Sequence, residues 1–449
     1  MWPGLKKTLK VLVLLLVVFV GGFFLANSID EELNPEIAPL LADLERPVPV
    51  EGNAFFYVIG MWAGEETEDV LQTGVAIHGT LLQRMDNSAS AFLDEQDYTA
   101  HGHLVLQGEN LPDCGGQMAS RCMMAVRENR AAWRKARQDN EVLLTRYHAL
   151  LAYRQFREPI VGGVAWPGNV IRLHRLYLAG IAADWQDGRQ QAALERLARA
   201  QAFWRGVATS QTSLLTHMFA VAVIEQNYSL LEDILQDCGD CRVHAEPLSA
   251  ILREFRNAEL SLRDVYLWEF AWIASQLPDA GESTDTLAEQ ADVWGWLPAM
   301  LYKPNTTHNS LWEMFSRFSQ LTGLPPRDYL AARDEMATWL EARFAEPSLL
   351  DMYTNFVDSM LSAIAVPSYQ QFYERGFALE DRRRLISAKW LLRSEGVGKM
   401  AIDGFLAGLD AEVYGSIVTG RLPHYDAATG TLSFDYGDVN PDMTVSVSL

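Results

Sequence analysis

The chain has 449 residues, 49% of them apolar and 21% charged, which gives ample material for a large core and excludes an intrinsically disordered polymer. Its formal net charge of −21 argues against a nucleic-acid partner, because a phosphate backbone rewards clustered Lys and Arg and repels an acidic surface. The length suits roughly two to three domains, or a single continuous helical array, which we prefer.

At the N-terminus, Lys6, Lys7 and Lys10 precede sixteen uninterrupted apolar or glycine residues, 11–26, and no acidic residue occurs before Asp30. Positive flanks stay in the cytoplasm, so residues 1–28 read as a signal-anchor segment. The expected product is a single-pass protein of the bacterial inner membrane with its body in the periplasm. Sixteen helical residues rise about 24 Å against a hydrocarbon core of roughly 30 Å, a deficit that tilted flanks and snorkelling lysines can close. Ala26 and Ser28 also satisfy a small-x-small cleavage rule before Ile29, so a removable signal peptide is the rival reading. Residues 29–52 carry Pro35, Pro39, Pro47 and Pro49 and read as a tether.

Residues 53–415 read as an α-helical body. Glu65, Glu66, Glu68 and Asp69 lead into a predicted helix over 70–85, where carboxylates at the start favour the helix dipole. Residues 86–112 are polar, with a short strand expected at 103–107. His101-Gly-His103 would present both imidazoles on one face of an extended strand, which makes His101 and His103 the candidate metal ligands, completed by Asp97, Glu109 or His78. No spaced third ligand accompanies them, so neither a metal nor another cofactor is expected.

Four cysteines occur, and in an oxidising compartment the pairs Cys114 with Cys122 and Cys238 with Cys241 are the simplest of three connectivities. Cys238-Gly-Asp-Cys241 has the spacing of a redox pair as well. It follows a helix end rather than sitting in a β-α-β setting, which favours a structural staple. A further helix is expected over 117–156. Its basic residues (Arg127, Arg130, Arg134, Lys135, Arg137, Arg146, Arg154) read as a solvated face, with an anionic-ligand site as the alternative.

Helices over 171–185, 189–207 and 212–225, the first two joined by Asp187-Gly188, have the grammar of αα-hairpins, and Ala179, Ala182, Ala183, Ala192 and Ala193 are small enough to let helices approach closely. At Leu178-Ala179, Gly188, Ala192-Ala193-Leu194 and Ala200 the chain resembles tetratricopeptide-type helical hairpins, over residues 171–207 and nowhere else. The resemblance implies a protein- or peptide-binding scaffold. The overall plan also resembles membrane-anchored helical proteins of bacterial envelopes, a likeness that implies no activity.

Further helices are expected over 245–276, 310–321, 326–344, 348–373, 380–393 and 399–409. The insertion 278–307, with Trp294 and Trp296, marks a point where the body could divide. Residues 416–449 read as a β-hairpin and tail: 426–430 form the turn, Leu432, Phe434 and Tyr436 alternate, and 443–449 supply a strand for the chain's own hairpin or for a partner.

No Gly-x-Ser-x-Gly elbow, His-Glu-x-x-His motif or complete phosphate loop is present, so no catalytic residue is assigned. The fold class expected is therefore all-α in the main: a membrane helix, an αα-hairpin or solenoid-like body, and a small C-terminal β-hairpin. The function expected is a non-catalytic scaffold engaging an envelope protein. The alternative is a helical periplasmic enzyme acting on a cell-wall or surface polysaccharide, in which some of the thirteen tryptophans would stack on sugars.

Overall fold

The structure, a computed structural model, describes residues 3–85, 93, 95–108, 114, 122–161, 169–277, 302–345, 353, 355, 370–437 and 443–449. In chain order the helices are α1 (Pro3–Ser28), α2 (Ile37–Leu44), α3 (Ala54–Gly60), α4 (Val70–Met85), α5 (Cys122–Glu128), α6 (Arg130–Asp139), α7 (Glu141–Leu150) and α8 (Asn169–Gln186). They continue with α9 (Gln190–Ala208), α10 (Leu214–Asp237), α11 (Ala245–Ile251), α12 (Asn257–Leu260), α13 (Arg263–Ser275), α14 (Pro304–Leu321), α15 (Pro326–Leu340) and α16 (Gln370–Ser394). Short helical turns at Ile402–Leu406 and Ala411–Tyr414 precede three strands, β1 (His424–Asp426), β2 (Thr431–Ser433) and β3 (Ser446–Ser448). The chain is thus mostly helical, and it divides into two compact units.

The first unit comprises Met1–Arg46, Glu269–Leu321 and Ala331–Gln370. Within α1, Lys7–Ser28 is long and apolar enough to cross a membrane, with a mean hydropathy of 2.7 and no buried share. Its last turns are fastened to Tyr353, whose hydroxyl donates to the Phe19 carbonyl at 2.6 Å and whose own carbonyl accepts from Asn27 Nδ2 at 2.7 Å. Asp30 then meets the start of α14. Pro304 opens that helix at no cost in hydrogen bonds, but the next N–H groups need acceptors, and the Asp30 carboxylate takes those of Asn305 (2.9 Å) and Thr306 (3.0 Å). Residues 30–36 run on along α14, with Asn34 N–H on Asn309 Oδ1 and Trp312 Nε1–H on Glu36, before α2 forms within the proline-bearing stretch. On the inner face of α14, Leu311, Met314, Phe315 and Phe318 recur at helical spacing and are buried.

The second unit comprises Pro47–Trp268, Thr322–Leu330 and Gln371–Leu449. α3 and α4 cross at Gly60 and Gly74, where a Cβ on either residue would collide with backbone carbonyl oxygen of the other helix, Val70 O and Phe56 O respectively. Asp69 caps α4 by accepting the Gln72 N–H at 3.0 Å, and Glu65, Glu66 and Glu68 lie in the turns before it. The hairpin of α8 and α9 turns at Gly188, whose φ of +84° is the left-handed conformation a glycine adopts freely. Of the alanines expected at the helix contacts, Ala179, Ala182, Ala183 and Ala193 are fully buried, as close helix approach requires, whereas Ala192 is exposed; α10 packs against both helices.

Two expected continuous elements are divided. Over 117–156, α5, α6 and α7 replace one helix, and residues 117–121 lie outside the described part. At the second break the Asn140 side chain donates to Ala136 O and Gln107 O and accepts from Gln107 N, so it serves a passing segment instead of a helical interior. Over 245–276 the helix breaks into α11, α12 and α13, because the buried Arg205 guanidinium engages the carbonyls of Arg253 and Glu254 between α11 and α12. α15 ends at Leu340 in a π turn, Glu341–Ala345. The expected helix 348–373 is described only at Tyr353, Asn355 and from 370 onward, and the tryptophan-bearing part of the insertion, 278–301, lies outside the described residues.

The C-terminal strands form one antiparallel sheet in the order β1-β2-β3, with Tyr425 opposite Leu432 and Leu432 opposite Val447. The tail therefore pairs with its own hairpin. Tyr425, Leu432, Phe434, Tyr436 and Val447 point into the core, and Asp381 of α16 binds Ser416 Oγ (2.6 Å) and the Tyr436 hydroxyl (2.8 Å).

Candidate functional site

The histidine pair is not presented on a strand. His101 lies in a turn, Gly102 has φ +70°, and only an isolated bridge joins His103 to Ala63. His103 stacks on Tyr98 with ring centroids 4.7 Å apart. Of the proposed third ligands, Asp97 is buried and paired with Arg84 through two hydrogen bonds, His78 is packed against Phe55 and Phe56, and Glu109 lies outside the described residues. Among the described residues no group of three or more His, Cys, Asp or Glu side chains is placed to hold a metal ion.

Both cysteine pairs stand at disulfide distance, with Cα separations of 4.4 Å for Cys114 and Cys122 and 5.6 Å for Cys238 and Cys241. All four are buried. Cys238 closes α10 and Cys241 opens a 3-10 turn, which is the helix-end setting expected of a staple.

Two polar groups of the core are equally enclosed. Trp204 Nε1–H donates to the Tyr147 hydroxyl at 2.9 Å, and that hydroxyl lies 2.7 Å from His174 Nδ1. Burial pushes the His174 imidazole down to about 3, so it stays neutral; the Tyr147 O–H then donates to Nδ1 and the ring proton sits on Nε2, beside the Asn227 side chain. Glu259 is buried beneath Arg205, Arg253 and Arg256. Burial alone would raise its carboxyl, but the hydrogen bonds from Arg253, the Arg256 backbone and Arg205 hold it at about 2. Among the described residues, Glu259 lines a cavity of about 10 Å³, too small for a substrate.

An open cleft lies elsewhere in the second unit. α7 ends in a turn held by Ala152 N–H on Ala149 O and Tyr153 N–H on Leu150 O, after which residues 154–157 run extended. Asn53 fixes that extended run: its side chain accepts from Arg157 N–H (3.0 Å) and donates to Arg157 O (2.9 Å) while also capping α3 at Phe55 N–H. Ala54 N–H adds a bond to Gln155 O at 2.9 Å. Between this segment and α9 is a groove of about 410 Å³, and residues 152–155 also line a second cleft of about 400 Å³ with Glu51 and Gly52.

The α9 wall is shaped by spacing. Arg199, Ala202 and Gly206 fall on one exposed face, and the two small residues leave space where longer side chains would stand. Phe203 and Val207 form an apolar floor, joined by Leu151 and Phe156. Arg199 on this wall and Arg154 on the other form no ion pair among the described residues. Their neighbour Arg196 does: it binds Asp184 and lies over the Tyr177 ring at 4.7 Å. Arg199 Nη1 instead lies 3.0 Å from His148 Nε2. Burial, then the Arg199 and Arg196 guanidiniums, hold the His148 imidazole below its usual range, so it accepts from Arg199 and orients a cation whose charge is not cancelled.

Of the basic stretch, this groove collects only Arg154. Arg130 pairs with Asp187, Lys135 with Asp139, and Arg146 is buried against the carbonyls of Met61, Ala63 and Gly64. The sequence reading did not single out Arg199. Its one signal is an arginine followed at helical spacing by Ala202 and Gly206 on a face otherwise rich in long side chains. No protein-family model, curated protein or solved structure matches the chain.

Proposed function

We propose that the protein is a non-catalytic scaffold of the bacterial cell envelope, held in the inner membrane by α1 with its helical body in the periplasm, where the groove on α9 holds a partner protein. The groove carries this reading: an open trough with an apolar floor and two arginines that form no ion pair among the described residues is suited to recognition. Retention of α1 is supported by Asn27 and Asp30, which tie the end of the apolar helix and the residue just beyond the Ala26-x-Ser28 site to the folded first unit. Two cysteine pairs at disulfide distance suit the periplasm. The tryptophans give little to a sugar-stacking alternative, since Trp133, Trp185, Trp204 and Trp268 are buried.

Proximity crosslinking of full-length protein in its native membranes, read by mass spectrometry of partners and of the protein's own N-terminus, tests the reading. One recurrent envelope protein, captured by a chain that retains residues 1–26, is the expected result. Abundant folded protein that captures no specific partner, or a chain starting at Ile29, overturns it.

A further inference from the structure

We infer that the α9 groove receives an extended, acidic segment of the partner, one that alternates carboxylate and apolar side chains. This deepens the scaffold reading and rests on it. The argument is one of charge and shape. The chain carries 58 acidic against 37 basic residues, so most of its surface repels an acidic polypeptide. The groove inverts that balance locally, with Arg154 on one wall and Arg199 on the other, neither matched to a carboxylate among the described residues. A cation left uncancelled in so acidic a chain is a preference for an anionic ligand, and the repulsion around it discriminates against misplaced binding.

Shape selects a chain over a compact anion. Phe203 and Val207 line the same groove as the two arginines, and they offer an anion nothing and an apolar side chain a contact. The groove is open rather than a closed bowl, and residues 152–155 also line the second cleft, whose wall carries Glu51. An extended strand points successive side chains to opposite sides, so an acidic and apolar alternation lays one set on the floor while the carboxylates meet the rims. Arg199, already oriented by neutral His148, gives up little rotamer freedom when it accepts such a partner, and its planar fork fits a carboxylate in two-point fashion.

The test uses detergent-solubilised full-length protein and a fluorescent octapeptide of alternating Glu and Leu, with its Lys-for-Glu counterpart and a Ser-for-Leu counterpart, followed by anisotropy. The acidic peptide should bind. Arg154→Glu and Arg199→Glu should each weaken it by about tenfold and favour the lysine peptide, and the serine peptide should lose about tenfold as well. Ala202→Trp, which fills the trough from an exposed helix face, should abolish binding while circular dichroism stays unchanged. Equal binding of acidic and basic peptides, indifference to the three substitutions, or displacement by inorganic phosphate with no dependence on leucine overturns the inference. Crosslinking of the same variants in membranes separates the two levels. A native partner captured equally by wild type and by the Arg→Glu variants sinks the acidic-segment inference and leaves the scaffold standing, whereas no partner for any form sinks the scaffold.

Discussion

Asp30 and Thr306, 276 positions apart in sequence, are joined by two hydrogen bonds: one carboxylate oxygen of Asp30 accepts both the backbone N–H (3.0 Å) and the hydroxyl (2.9 Å) of Thr306. Asp30, two residues beyond the apolar helix, thus acts as a cap on the N-terminus of α14. Asp30→Ala should remove a cap worth about 1 kcal/mol and expose the first turn of α14. Hydrogen exchange checks this directly, since the amides of Asn305 and Thr306 should exchange roughly fivefold faster or more. Unchanged protection at these two amides would show that the cap does not hold the turn.

Tyr147 sits at the centre of the buried polar core, accepting from Trp204 and donating to His174. Tyr147→Phe conserves shape but strands the indole N–H and the imidazole Nδ1, and should cost about 2–4 kcal/mol. The urea midpoint measures it. In the native protein the His174 ring, depressed to about 3, should remain neutral at pH 5 with its proton on Nε2, which ring-nitrogen shifts in a nuclear magnetic resonance spectrum report. An imidazolium signal at that pH would contradict the enclosed geometry.

Asp381 is fully buried at the foot of the C-terminal sheet. Burial raises its carboxyl to about 6 despite hydrogen bonds from Ser416, the Ile417 backbone and Tyr436. A folded value above the unfolded one means that the native state binds the proton more tightly. The contribution is therefore fully present below about pH 4 and is lost as pH rises through 6, amounting to about 3 kcal/mol. Asp381→Asn should flatten that part of the pH–stability profile, measured as urea midpoints between pH 4 and 7. A variant profile that still falls across this window would assign the effect to another group.

The cysteine pairs should leave no titratable thiol in protein taken from an oxidising compartment, whether native or unfolded without reductant. Replacing Cys114 and Cys122 together by Ser opens a loop with a sequence separation of 8 and should lower stability by about 2–3 kcal/mol. Free thiols in the denatured, unreduced chain would show that at least one pair is not oxidised.

Much of the architecture is written locally. The apolar run 11–26, the Asp187-Gly188 turn and the alternation at Leu432, Phe434 and Tyr436 each carry their own periodicity, so they read correctly one element at a time. The breaks at Asn140 and at Arg253–Glu254 do not. Each depends on a side chain or backbone group far away in sequence: the Gln107 backbone in one case and the Arg205 guanidinium in the other. A helix-forming composition gives no warning of them. The same holds for His101 and His103, whose shared strand face disappears because Gly102 turns the backbone into the left-handed region.

The sequence by itself determined the long apolar N-terminal helix, the helical class, the α8–α9 hairpin and the C-terminal strands, because hydrophobic period and turn chemistry act over a few residues. Only the tertiary structure decided which arginines are cancelled and which are not. Arg130, Arg146 and Arg196 find carboxylates or carbonyls, while Arg154 and Arg199 are brought to opposite walls of one trough. A guanidinium is charged wherever it stands in the chain. Whether that charge is spent inside the fold or offered to a partner depends on what folding places beside it.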